Sequence, residues 1–125
     1  MEKKKILIVD DEVDLVELLN IRLKVHNYYV VPLYVSTRTI ETAKKLKPDL
    51  ILLDVMMPDK DGYEICRELK SDKDTKDIPV MLFTAKPDQK AFIKNGSNSV
   101  GADDFILKPF DAADLLIKIG NLLRK

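Results

Sequence analysis

Asp49-Leu50-Ile51-Leu52-Leu53-Asp54-Val55-Met56-Met57-Pro58 is the most informative segment of the chain. Its four consecutive apolar residues, entered just after Pro48, are too few for a stable helix and read as a strand buried on both faces. The run delivers one carboxylate, Asp54, at its exit.

Working outward, three more short apolar runs share that design. Ile6-Leu7-Ile8-Val9 ends in Asp10-Asp11, Val80-Met81-Leu82-Phe83 is opened by Pro79 and ends in Thr84, and Phe105-Ile106-Leu107 ends in Lys108-Pro109. Tyr29 to Leu33 is a fifth strand, placed at a sheet edge because Pro32 cannot donate to a ladder. Between the strands lie helical patterns. Val16, Leu19 and Leu23, widened by Leu15 and Leu18, mark an amphipathic helix over about residues 12 to 25. Ser36 and Thr37 are candidate caps for a short helix carrying Ile40, Ala43 and Leu46, stopped by Pro48. Asp61 and Glu64 resemble a capping box before Ile65, Cys66 and Leu69. Ser71 to Asp77 is a polar, solvated loop. Pro87 to Asn95 can form a helix capped by Asp88, short or broken because Asn95-Gly96-Ser97-Asn98-Ser99 is poor helix material. The last helix is capped by Asp111, stapled by Phe110, and buries Leu115, Leu116, Ile119, Leu122 and Leu123. Five strands alternating with five helices imply an α/β three-layer sandwich with a parallel sheet covered on both faces.

At 125 residues the chain is read as one domain, 1–125, large enough for an unaided core. Its 21 basic and 21 acidic side chains balance, which argues against nucleic acid and anionic membranes as direct partners. One cysteine, Cys66, and one histidine, His26, support neither an internal disulfide nor an ordinary zinc site. The charged N-terminus is followed by only four apolar residues before Asp10, so it reads as neither signal peptide nor membrane span, and the expected location is cytoplasmic.

In an open α/β sheet, ligands bind outside the carboxyl ends of the strands. Asp10, Asp11, Asp54, Thr84 and Lys108 should converge there. Carboxylates brought that close repel unless a cation compensates, and a hard, all-oxygen donor set selects Mg²⁺. Thr84 can then donate to a phosphoryl oxygen, Lys108 can pair with another, and Asp54 can act as the nucleophile on phosphorus.

The set Asp10-Asp11, Leu53-Asp54-Val55-Met56-Met57-Pro58 with Asp61-Gly62, Thr84-Ala85, and Gly101-Ala102-Asp103-Asp104-Phe105 with Lys108-Pro109-Phe110 closely resembles the receiver domain of two-component response regulators. The resemblance runs from about residue 4 to residue 124, with five motifs in order. It implies the flavodoxin-like strand order 2-1-3-4-5, and a stand-alone switch without an output domain. Asp54 would accept a phosphoryl group from a sensor histidine kinase or a histidine phosphotransfer protein. Asp11 and Asp54 would ligate Mg²⁺ with the Met56 carbonyl, and Asp10 would act directly or through water. Thr84 and Phe105 would form the switch, signalling to a downstream protein through the fourth helix, fifth strand and fifth helix. The Lys108-Pro109 bond would be cis. Such a chain catalyses its own phosphorylation and dephosphorylation and is not a turnover enzyme; phosphorylation-dependent dimerisation stays open. Two stretches depart from the family pattern: Thr84 to Gly101 is about two residues longer than usual, and Tyr34-Val35-Ser36-Thr37-Arg38 replaces a small acidic turn.

Simpler roles compete at several positions. Asp54 alone could be a turn residue, Asp11 alone an N-cap, and Thr84 a cap, whereas the joint set with Lys108 resists that reading. Phe105 is equally well read as core. Asp59, Asp61, Asp103 and Asp104 read as loop and capping residues, Cys66 as core and His26 as a solvated helix end. Met56 and Lys86, two residues past Asp54 and Thr84, are positioned to control water access. Two other functions compete. An aspartate-nucleophile phosphatase of the haloacid-dehalogenase type would need Asp-x-Asp-x-Thr where Asp10-Asp11-Glu12-Val13 stands. A flavin or nucleotide module would need a phosphate-cradling loop after the first strand.

Overall fold

The computed structural model describes residues 3–85 and 101–124. In chain order they form β1 (Lys5–Val9), α1 (Val13–Val25), β2 (Tyr29–Leu33), α2 (Thr39–Leu46), β3 (Leu50–Asp54), α3 (Gly62–Ser71), β4 (Val80–Thr84), β5 (Asp104–Leu107) and α4 (Ala112–Leu123). All strand pairs are parallel and the order is β2-β1-β3-β4-β5, as the resemblance implied. Pro32 sits opposite Ile8 on the edge strand, where its missing N–H leaves no ladder bond unmade. Four α-helices are described rather than five. The helix expected within residues 87–95 lies outside the described residues, as does Lys86.

Strand alternation divides the core into two layers. Ile6, Ile8, Leu50, Leu52, Met81, Phe83 and Ile106 face α1 and α4, meeting Val16, Leu19, Leu23, Leu115, Ile119 and Leu122. Leu7, Val9, Ile51, Leu53, Val80 and Leu82 face the other way, toward Ala43, Ile65, Cys66 and Leu69 of α2 and α3. Both faces of β1, β3 and β4 are therefore buried, which is why those strands read as unbroken apolar runs. By the same alternation Thr84 shares a face with Leu82, and Phe105, opposite Leu82, packs half-buried in the same layer.

Caps explain most helix starts. Asp61 accepts from the Tyr63 N–H at 2.8 Å and Asp111 from the Ala113 N–H at 2.9 Å, both as the sequence indicates. His26 ends α1 in solvent, and α2 closes with Lys47 at φ 51°, one residue before Pro48. Three expectations need correction. Ser36 and Thr37 do not cap α2: Ser36–Arg38 is a 3-10 turn, and both residues bind Asp59 of the loop after β3. The polar run after α3 is not wholly solvated, because Thr75 is buried and its hydroxyl donates to the Leu69 carbonyl at 2.7 Å. Asp104 is the first residue of β5 rather than a loop residue, and it pairs with Lys118 of α4 at 3.3 Å. Among the described residues no helix is long and apolar enough to cross a membrane.

Candidate phosphoryl-transfer site

The parallel register aligns the exits of β1, β3, β4 and β5. Val9 is opposite Leu53, Asp54 opposite Phe83 and Thr84 opposite Leu107, so the residues at or just past those positions emerge on one edge of the sheet. Asp10 is fully buried, Asp54 nearly so, and Thr84 fully so. These are two carboxylates and a hydroxyl, groups that the hydrophobic runs would otherwise exclude.

Lys108, immediately after β5, carries the positive charge. The Lys108-Pro109 bond is cis, as the resemblance implied, and the Lys108 N–H donates to the Thr84 carbonyl at 2.8 Å. Its Nζ lies 2.7 Å from Asp10 Oδ2, 2.9 Å from Glu12 Oε1 and 3.6 Å from Asp54 Oδ2. Three of the sequence-chosen residues, Asp10, Asp54 and Lys108, are thus brought together. Glu12 was missed. It looks like one more acid in the first turn of a helix, and the only sequence signal for it is its position two residues past Asp10, on the same strand exit.

Electrostatics mark Asp54 as the unusual acid. Burial first, then the neighbouring Asp10, with a smaller push from Asp11, outweigh the pull of Lys108 and the Met56 N–H, and together raise its pKa to about 6. The Met56 N–H donates to Asp54 Oδ1 at 3.2 Å. Burial would lower the pKa of Lys108, but its hydrogen bonds to Asp10 and Glu12 overcome that, and it stays a cation. Among the described residues, one lysine faces three carboxylates. The carboxylate oxygens of Asp10, Glu12 and Asp54 lie within 4.8 Å of one another. This is an oxygen-only donor set with negative charge in excess, which suits a hard divalent cation and offers nothing to a soft one. Asp11 is exposed and lines a neighbouring groove of about 750 Å³ with Val55, Met56, Asp59 and Asp61, so it borders the cluster without joining its tight trio. Met56 is exposed at the same groove.

The loop between β3 and α3 is held at three points. The Gly62 N–H returns to the Val55 carbonyl at 2.9 Å, and a Cβ at Gly62 would collide with the Asp54 carbonyl oxygen and sit 2.6 Å from Val55 Cα. Lys60 pairs with Glu68 at 2.8 Å. Asp59 accepts from the Ser36 hydroxyl at 2.8 Å and the Thr37 N–H at 2.9 Å. Burial acts to raise the pKa of Asp59, but those donors outweigh it and hold the carboxyl well below the usual range. The stretch Tyr34 to Arg38, which has no evident role in the sequence, therefore anchors the loop that carries Met56.

Comparisons with known proteins agree with this geometry. The family model described as response regulator receiver domain matches residues 6–120. Over 121 residues the chain is 40% identical to the response regulator ArlR of Staphylococcus saprophyticus, covering 97% of this chain and 53% of ArlR. It is 39% identical over 121 residues to the DNA-binding dual master transcriptional regulator RpaA of Synechocystis, covering 97% of this chain and 49% of RpaA. The chain thus spans about half the length of these curated relatives. Among solved structures, the beryllofluoride-activated receiver domain of Klebsiella pneumoniae RstA matches with a TM-score of 0.85 and 33% identity, over 98% of this chain and all of that one.

Proposed function

Because the chain belongs to the receiver-domain family of response regulators, we propose that it is a cytoplasmic signalling switch whose message is a phosphoryl group on Asp54. The observation that carries this is Lys108 set against three converging carboxylates at the strand exits. An Asp54 carboxylate oxygen attacks the phosphorus of a phosphohistidine on a sensor kinase or phosphotransfer protein. The new O–P bond forms as the P–N bond breaks, and the imidazole leaves. Asp10, Asp11 and Asp54, with the Met56 carbonyl, are the groups that would hold Mg²⁺. The ion would neutralise phosphoryl charge and keep water ligands that a phosphoryl oxygen can replace. Lys108 moves from Asp10 toward the phosphoryl oxygens, and the Thr84 hydroxyl donates to another. The acyl phosphate is later hydrolysed at the same site, so the chain resets itself without turning over a free substrate.

Phe105 shares its sheet face with Thr84, so a shift of Thr84 toward the phosphoryl group opens space in the layer where Phe105 packs. The readout surface comprises β5, α4 and the helix expected within residues 87–95, with Leu107 and Ile117 exposed on the described part. A downstream protein docking there would bias the switch. A cavity of about 520 Å³ lies between α1 and the Lys108-Pro109-Phe110 turn, walled by Leu15, Leu18 and Leu19, and would offer the phosphodonor an apolar surface beside the site.

The test is labelling with ³²P-acetyl phosphate. Incorporation should require Mg²⁺ and disappear in Asp54→Asn. Label that persists in Asp54→Asn, or that forms equally well in excess chelator, overturns the proposal.

A further inference from the structure

Lys108 is not poised on Asp54. An ammonium has three N–H donors, and two of them are taken at 2.7 and 2.9 Å by Asp10 and Glu12, while Asp54 at 3.6 Å lies beyond hydrogen-bonding distance. Glu12 is tied into the arrangement a second time, because its backbone N–H donates to the other oxygen of Asp10 at 2.9 Å. Asp10, Glu12 and Lys108 thus close a ring in which the Glu12 backbone fixes Asp10 and the Glu12 side chain reaches over to the lysine. The two carboxylates differ in exposure: the Asp10 side chain is 0% exposed, and that of Glu12 is 60% exposed. Any phosphoryl oxygen on Asp54 has to win Lys108 from both.

We propose that Glu12 is a positioning residue that holds the Lys108 ammonium at the rim of the site and competes with the phosphoryl group for it. The inference rests on the phosphorylation reading and deepens it. Were the Asp10 carboxylate engaged in holding Mg²⁺, Glu12 would be the remaining acceptor that keeps Lys108 from Asp54. Glu12 sits in solvent, so the hold is weak and releasable. It sets how readily the clamp closes without being needed for chemistry. The identity of the residue at position 12 would then tune the phosphorylated population without altering any group that touches phosphorus.

The experiment measures beryllofluoride affinity in Mg²⁺ by intrinsic tyrosine fluorescence or calorimetry, alongside the rate of labelling by acetyl phosphate. Glu12→Gln, which keeps the shape and removes the charge, should tighten beryllofluoride and speed labelling by roughly two- to fivefold, the size an exposed ion pair carries. Glu12→Asp keeps the charge but shortens the reach, and should behave like Glu12→Gln. In a Lys108→Met background both substitutions should change nothing, since the partner is gone. An unchanged or weaker affinity in Glu12→Gln overturns the inference. So does an effect that survives in Lys108→Met, or a Glu12→Asp that matches wild type, because these mean that overall charge is what matters. If wild type takes up neither beryllofluoride nor phosphoryl, the phosphorylation reading itself has failed. If wild type responds and Glu12→Gln equals it, only the role of Glu12 falls.

Discussion

Each end of the sheet holds a lysine against aspartate, and the two ends are balanced differently. At the strand entrances Lys70 pairs with Asp103 at 2.7 Å and donates to the Ile78 carbonyl at 2.7 Å, while Asp103 also accepts from the Val80 N–H at 2.8 Å. One cation meets one anion there, and backbone groups take up the remaining hydrogen-bonding capacity. At the strand exits, among the described residues, one cation meets three anions, two of them buried. The entrance cluster is complete without any ligand and so needs no function to explain it. The exit cluster is left with uncompensated negative charge, which folding alone would not favour. That contrast distinguishes a site from a structural ion pair.

Replacing the two lysines breaks the comparison most directly. Lys108→Ala leaves Asp10 and Asp54 buried without a counter-charge and should cost about 3–5 kcal/mol of stability in chelator. Millimolar Mg²⁺ should restore a large part of it, because the cation takes over the lost compensation. Lys70→Ala should cost about 1–2 kcal/mol, since Asp103 keeps its backbone donor, and Mg²⁺ should restore none of it. Urea unfolding of both variants with and without Mg²⁺ checks this. Equal responses of the two to Mg²⁺ would remove the distinction between the ends.

Next in size is the pH dependence of Asp54. Its pKa rises from the ordinary 3.8 to about 6 in the folded protein. Between those values the folded state binds the proton and the unfolded state releases it, so stability falls as pH rises through that window. With metal chelated, Asp54→Asn should therefore be more stable than wild type above pH 6, by about 3 kcal/mol from a shift of this size. The gain should vanish below about pH 4. Unfolding midpoints of the two proteins from pH 3.5 to 8 give the curve, and a constant difference across that range would exclude ionisation of Asp54 as the cause.

The fold was largely legible because β1, β3 and β4 are buried on both faces and announce themselves as apolar runs, with Asp10, Asp54 and Thr84 at their ends. Strand order and the cis bond came only from family resemblance, since neither periodicity nor composition encodes them. What was not legible is set by how the chain packs rather than by local pattern. Ser36 and Thr37 have the local signature of caps, and nothing within a few residues reveals that Asp59, 23 and 22 residues on, is what they bind. Thr75 looks solvated inside a charged run until the Leu69 carbonyl is placed above it. Glu12 is hidden for the same reason, as its lysine is 96 residues away.

The smallest expected effect separates loop placement from charge. Ser36 is fully buried, and its hydroxyl lies 2.8 Å from Asp59 Oδ1 and 2.7 Å from the Lys60 carbonyl. It has one proton to give and two acceptors within reach, and Ser36→Ala removes that proton without changing any charge. The stability cost should be about 1 kcal/mol. The Thr37 N–H still holds Asp59, so the loop should loosen rather than detach. Met56 lies three residues before Asp59 in that loop, so Mg²⁺ affinity measured by calorimetry should fall about two- to threefold, an effect of well under 1 kcal/mol. Lys44→Ala, which breaks an exposed pair with Asp72 on the same side of the sheet, should leave Mg²⁺ affinity as it was. A Mg²⁺ affinity unchanged in Ser36→Ala would mean that Gly62 and Val55 alone position the loop, and that the anchoring turn serves stability only.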